Sequence, residues 1–110
     1  KIIVNQLSSP WMIELIRLDP VVYLSKVNCP LLAINGSKDI QVPSKENLEI
    51  IKDVFNKSKN TNIKVKELEG LNHLFQECET GATSEYETIE QTISPVALKE
   101  ILNWINIQVK

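Results

Sequence analysis

Apolar and polar residues recur with two different periods along this chain, and the two periods predict three helices and two strands. Apolar residues return at helical spacing in residues 9–18, 44–55 and 94–109. Each of these segments opens with a serine next to a proline, a pairing in which serine can cap the helix and proline suits its first turn. Asp19-Pro20 is expected to end the first helix, because proline disfavours a helical conformation in the residue before it.

The two predicted strands lie on either side of the second helix. The run from Leu31 to Asn35 is continuously apolar up to its last residue, which is typical of a strand buried on both faces of a parallel sheet. Residues 63–68 alternate apolar and charged side chains, which predicts a half-exposed edge strand with lysines on its outer face. A strand–helix–strand unit normally places its strands parallel and side by side.

These elements fit poorly into a complete domain. Two parallel strands cannot bury the apolar sides of three helices, and the strand from Leu31 to Asn35 calls for a neighbour on each side. We therefore expect residues 1–110 to be the C-terminal fragment of a single larger α/β domain. An open strand edge and uncovered helix faces also predict that the fragment associates with itself or exchanges elements between copies.

Candidate chemistry concentrates on Asp39 and on His73, the only histidine of the sequence. Each residue follows one of the predicted parallel strands by a few positions, so both belong to the edge where open α/β sheets hold ligands. A carboxylate bonded to one imidazole nitrogen orients the ring, and the other nitrogen can then act as a general base. An aspartate after Gly-x-x can also be a plain turn former, and a single histidine in a turn can be structural.

Other chemical classes receive little support from the composition. Cys29 and Cys78 lack metal-ligand spacing, and three glycines form no phosphate loop, so we expect no metal site and no cofactor. The acidic stretch of residues 77–90 is expected to be a solvated loop. A formal net charge of −2 argues against a nucleic-acid partner, and no apolar run approaches the ~20 residues of a membrane span.

The chain resembles the α/β-hydrolase family, and it is most similar to the bacterial esterase/peptidase-like members. An Asn-Gly-x-x-Asp turn ending at Asp39 and a Leu-Asn-His-Leu-Phe-Gln segment around His73 carry the likeness most specifically. It extends over residues 29–39, 42–43, 69–76 and 80–81 and over a closing helix that contains Trp104.

This resemblance implies a serine nucleophile, then an acid, then a histidine along the chain. Asp39 matches the acid and His73 the base of a hydrolase of carboxylic esters or amides. No Gly-x-Ser-x-Gly elbow occurs in the sequence, and Ser37, Ser84 and Ser94 do not fit the family order. We therefore expect the nucleophile and the oxyanion hole to lie outside these residues, so that the fragment alone is inactive.

Two alternatives stay open on the sequence. The same elements can serve a non-catalytic interaction module in which Asp39 and His73 are structural or relict residues. The chemistry can also be acyl transfer or a lyase reaction of the same superfamily, because a fold does not fix the reaction.

Overall fold

The computed structural model describes residues 2–110 and contains a two-stranded parallel sheet accompanied by helices. In chain order the elements are α1 Ile2–Leu7, α2 Pro10–Arg17, α3 Pro20–Leu24, β1 Leu31–Gly36, α4 Ser44–Asn56, β2 Ile63–Leu68 and α5 Pro95–Gln108. A short 3₁₀ turn at Thr83–Glu85 interrupts the long loop between β2 and α5. The mixed α/β class and the three helices expected from the sequence are therefore confirmed.

Strands β1 and β2 pair in parallel over their whole length. The register runs from Leu31 opposite Ile63 to Gly36 opposite Leu68, so both strands end at the same edge. Helix α4 connects them and packs against both. Strand β1 extends one residue beyond the predicted Asn35, and β2 has the predicted bounds.

Two short helices were not predicted. Asp19 and Pro20 do end helix α2, but the same pair also starts α3, because Asp19 Oδ1 accepts the Val21 backbone N–H at 3.0 Å. Helix α1 lacks the cap and the periodic pattern on which the other predictions rest. The described residues thus hold five α-helices where the sequence indicated about three.

The predicted serine caps behave differently from one another. Ser94 caps α5 as expected, with its Oγ accepting the Val96 N–H at 3.2 Å. Ser44 does not cap α4, because it is the first residue of the helix and not the residue before it, and its Oγ donates to a carboxylate oxygen of Glu67 on β2. Ser9 donates to the Gln6 carbonyl instead of capping α2. The hydroxyls of Ser44 and Ser9 are thus oriented by a tertiary and a local acceptor, and neither makes a hydrogen bond to the N-terminus of its helix.

The lysines of β2 have a role that the alternating pattern did not indicate. Glu100 of α5 is buried, and its carboxylate lies 2.5 Å from Lys64 Nζ and 2.6 Å from Lys66 Nζ. These two ammonium groups hold the pKa of Glu100 below its usual value. The ion pairs join α5 to the outer face of β2, where solvated lysines were expected.

Much apolar surface is left uncovered. Among residues 2–110, strand β1 has one neighbouring strand, as expected of a fragment, and it is only half-buried up to Ile34, less than its continuous apolar run indicates. Helices α1, α2 and α3 contain no buried residue. The apolar stripe of α5 is also largely exposed, with exposures of 51% at Leu98 and 57% at Leu102.

A compact core forms at the carboxyl end of the sheet. Leu68, Leu71 and Ala97 are buried together, with Ile34, Phe75 and Ile93 packed around them. Gly36 lies against this core so closely that a Cβ atom would come 2.1 Å from the Leu71 carbonyl oxygen and 2.7 Å from that of Asn72. The missing side chain at Gly36 therefore lets the two strand ends approach.

We predict that Gly36→Ala destabilises the chain by about 2 kcal/mol or more, because backbone atoms cannot move aside as a flexible side chain would. Gly70→Ala is the matched variant, since a Cβ there meets no atom within 4 Å and only its φ of 76° opposes the change. It should cost about 1 kcal/mol. Chemical unfolding followed by circular dichroism measures both, and equal losses would contradict the close approach.

Candidate active site

Two turns meet at the carboxyl end of the sheet, and each carries one predicted site residue. The turn after β1 leads to Asp39, and the turn after β2 leads to His73. Ser37 N–H donates to the Leu68 carbonyl at 2.9 Å, and Lys38 N–H donates to the Leu71 carbonyl at 3.0 Å. The parallel pairing therefore continues beyond the strands and sets the distance between the two turns.

The Asp39 carboxylate is buried and accepts four hydrogen bonds. Its Oδ1 accepts the backbone N–H groups of Gln41 and Val42, both at 2.9 Å. Its Oδ2 accepts from Asn35 Nδ2 at 3.0 Å and lies 2.9 Å from His73 Nδ1. The side chain is only 5% exposed, so these partners replace the water that an exposed carboxylate would bind.

These contacts determine the charge of Asp39. Burial alone raises the pKa of the carboxyl, but hydrogen bonds from Val42 N–H, His73 and Gln41 N–H outweigh it. The pKa of Asp39 therefore lies below its ordinary value, and the group is an anion at neutral pH. A permanently charged acceptor is what an orienting partner for an imidazole requires.

The loop that presents His73 is shaped by Asn72, which is completely buried. Asn72 Oδ1 accepts the backbone N–H groups of Leu74 and Gln76, both at 2.9 Å. Its Nδ2 donates to Gln76 Oε1 at 3.0 Å, and Gln76 in turn donates to the Gln91 carbonyl at 2.8 Å. This network stabilises the backbone on both sides of the histidine.

Phe75 adds a strained position to the same loop. Its φ of 58° lies in the left-handed region, which is uncommon for a bulky residue. The conformation is held because Phe75 N–H donates to the Asn72 carbonyl at 3.0 Å and the Phe75 carbonyl accepts Ser94 N–H at 2.7 Å. Strain of this kind concentrates at functional sites, where the surrounding structure enforces it.

The structure thus brings Asp39 and His73 into direct contact while leaving the ring accessible. The His73 side chain is 39% exposed, and within residues 2–110 its hydrogen bond to Asp39 engages Nδ1 and leaves Nε2 unpartnered. With Asp39 ionised, Nδ1 carries the proton in the neutral ring, and Nε2 then holds a lone pair. An exposed, oriented nitrogen lone pair can accept a proton from a hydroxyl nucleophile.

Several polar residues around the pair were not identified as functional from the sequence. Asn35, Asn72 and Gln76 belong to the two segments that carry the family resemblance, but the sequence indicates no role for them beyond a strand end and a turn, and it does not single out Asn47. One signal was available: an asparagine that closes the apolar run from Leu31 sits where an apolar side chain is expected. Asn47 and Gln76 bond to Asn35 and to the Gln91 carbonyl, which no local pattern records, whereas Asn72 bonds within its own turn.

The remaining surface offers little further chemistry. Within residues 2–110, no group of three or more His, Cys, Asp or Glu side chains is arranged to hold a metal ion. In the same part of the chain, none of the helices has the length and apolar character that crossing a membrane requires.

Lys38 Nζ donates to the carbonyls of Cys78 and Glu79 at 2.9 and 3.0 Å, and these bonds hold the acidic loop beside the Asp39 turn.

Comparison of the chain with protein-family models, with curated proteins and with solved structures finds no match in any of the three. The geometry of the Asp39–His73 pair is therefore the main guide to function.

We predict that Asp39→Asn moves the proton of neutral His73 from Nδ1 to Nε2. Two backbone N–H groups donate at the Oδ1 position and, besides the His73 ring, only Asn35 Nδ2 donates at the Oδ2 position, so the amide oxygen of the variant is expected to take the Oδ1 place. The amide NH₂ then replaces Oδ2 and donates to Nδ1. Two-bond ¹H–¹⁵N correlation spectra at a pH of about 8.5, where an ordinary histidine is neutral, report the tautomer.

His73 is the only histidine, so its ring signals need no assignment. Asp53→Asn, the same change at an exposed position of α4, is the control and should leave the Nδ1–H form in place. An unchanged tautomer in Asp39→Asn would show that the two side chains are not paired in solution.

Proposed function

We propose that this chain supplies the acid and the base of a serine hydrolase that acts on carboxylic esters or amides. Asp39 orients His73, and His73 Nε2 takes the proton of a serine nucleophile and returns it to the leaving group. The observation that carries the proposal is the 2.9 Å contact between Asp39 Oδ2 and His73 Nδ1 at the carboxyl edge of a parallel sheet. The resemblance of both turns to the α/β-hydrolase family supports the same assignment.

The nucleophile in this proposal comes from outside the 110 residues. Ser37 Oγ accepts the Gly70 N–H at 2.8 Å, and Ser44 Oγ donates to Glu67. Ser94 Oγ donates to Glu77 Oε1 at 3.1 Å while it caps α5. Because these hydroxyls are engaged elsewhere, they are poor candidates for activation by His73. The proposal therefore treats the chain as the C-terminal part of the catalytic domain.

We predict that the 110-residue chain alone hydrolyses no short-chain p-nitrophenyl ester and takes up no fluorophosphonate probe, whereas the full gene product does both. In the full gene product, His73→Ala should lower kcat/KM by about 10⁴-fold or more, because the serine loses its general base. Ester hydrolysis and probe labelling measure the two activities.

Lys99→Ala, an exposed change on α5, is the control and should retain full activity. A His73→Ala protein that kept both hydrolysis and labelling would refute the proposed role of the histidine.

A second candidate function, assembly through apolar contacts, is favoured by a separate observation. Trp11 is 64% exposed, Ile16 69% and Leu102 57%, and strand β1 offers an unpaired edge within the described chain. Exposed apolar surface of this extent is typical of an interaction site. In the hydrolase proposal, the rest of the domain covers this apolar surface. For the isolated 110-residue chain, we propose that other copies of the chain cover it.

We predict that the isolated chain sediments as dimers or larger species at high micromolar concentration. The double variant Leu98→Lys/Leu102→Lys should shift it toward the monomer, because two charges then lie on the exposed face of α5. Asn103→Lys, at an exposed polar position of the same helix, should sediment like the unmodified chain. A monodisperse monomer of the unmodified chain would contradict the prediction.

A further inference from the structure

The side chain of Asn35 connects the Asp39–His73 pair to helix α4. Asn35 is 5% exposed, and both N–H groups and the oxygen of its amide form hydrogen bonds. Its Nδ2 donates to Asp39 Oδ2 at 3.0 Å and to the Val42 carbonyl at 3.2 Å. Its Oδ1 accepts from Asn47 Nδ2, on the first turns of α4, at 2.8 Å. The amide orientation is therefore fixed from both ends.

This arrangement encloses the Asp39 carboxylate. Val42 N–H donates to Asp39 Oδ1, and the Val42 carbonyl accepts a hydrogen bond from Asn35 Nδ2. Asn35 therefore binds Asp39 Oδ2 directly and also stabilises the backbone that binds Asp39 Oδ1. The free rotation of the carboxylate is thereby removed, and Oδ2 stays directed at His73 Nδ1. Fully satisfied buried networks of this kind can be worth more than their separate bonds.

We propose that Asn35 is a positioning residue for the Asp39–His73 pair, and that Asn47 keeps the Asn35 amide in the orientation that the pair requires. The catalytic meaning of this role rests on the proposed function, whereas the positioning itself is a property of the chain. A purely structural asparagine would contribute to stability without changing where the His73 proton resides.

The test measures the tautomer of neutral His73 in the 110-residue chain by two-bond ¹H–¹⁵N correlation. In Asn35→Ala the Asp39 carboxylate can turn Oδ2 away from His73 Nδ1. We expect the ratio of the Nδ1–H to the Nε2–H form to fall by about three- to tenfold, about the net contribution of one ordinary hydrogen bond. Asn47→Asp keeps the size of the side chain but replaces the donor by an acceptor. The introduced carboxylate then repels Asn35 Oδ1 instead of bonding it, which displaces the amide that holds Asp39 Oδ2, and the ratio should fall in the same direction.

Asn103→Asp, the same substitution at an exposed position of α5, is the matched control and should leave the ratio unchanged. If Asn35→Ala fails to fold, the tautomer ratio of the isosteric variant Asn47→Asp tests the proposal. An unchanged ratio in the folded variants would overturn the proposal. The outcome is separable from that of the hydrolase proposal, because the tautomer is measured without a nucleophile and hydrolysis is measured in the full gene product.

Discussion

The parallel pairing of β1 and β2 is the constraint on which the rest of this structure depends. The register ends with Gly36 opposite Leu68, and it continues through backbone hydrogen bonds into the two turns beyond. Because Gly36 has no side chain, the turn that carries His73 can approach the end of β1. Asp39 and His73, 34 residues apart in sequence, meet as a consequence of that spacing. Neither turn could place its side chain with hydrogen-bonding accuracy without the other.

The buried carboxylates of Glu100 and Asp39 are stabilised in different ways. Glu100 forms a structural contact between two elements, whereas Asp39 belongs to the candidate site. Glu100 is balanced by the ammonium groups of two lysines, which join a helix to a strand. Asp39 is held by two backbone N–H groups, an asparagine amide and a single imidazole. Neutral N–H donors stabilise the Asp39 anion without a full positive charge beside it. The His73 ring therefore remains the group whose orientation the anion determines. This electrostatic setting suits an acid that orients a base.

The same fold leaves a large part of its apolar surface open, because the sheet has two strands while the helices present more apolar faces than two strands can cover. The core gathers around Leu68 and Leu71, at the end where the site lies. Toward the N-terminus the helices carry exposed side chains such as Trp11 and contain no buried residue. The ordered site and the open surface both support the proposal that the remaining walls and the nucleophile of an active site come from outside this chain.

Local patterns in the sequence determined both strands, three of the five helices of the described residues and the edge at which the chemistry lies. A continuous apolar run predicted β1 and an alternating pattern predicted β2, and the strand–helix–strand order placed Asp39 and His73 at the same end of the sheet. The tertiary structure alone decided the partners: Asn35 turned out to hold the Asp39 carboxylate, Ser44 bonds Glu67 instead of capping a helix, and α5 turns Glu100 toward the sheet while its apolar stripe faces outward. The physical reason is that periodicity reports which face of an element is apolar. The partner of a polar group depends on which donors and acceptors the packing brings within about 3 Å.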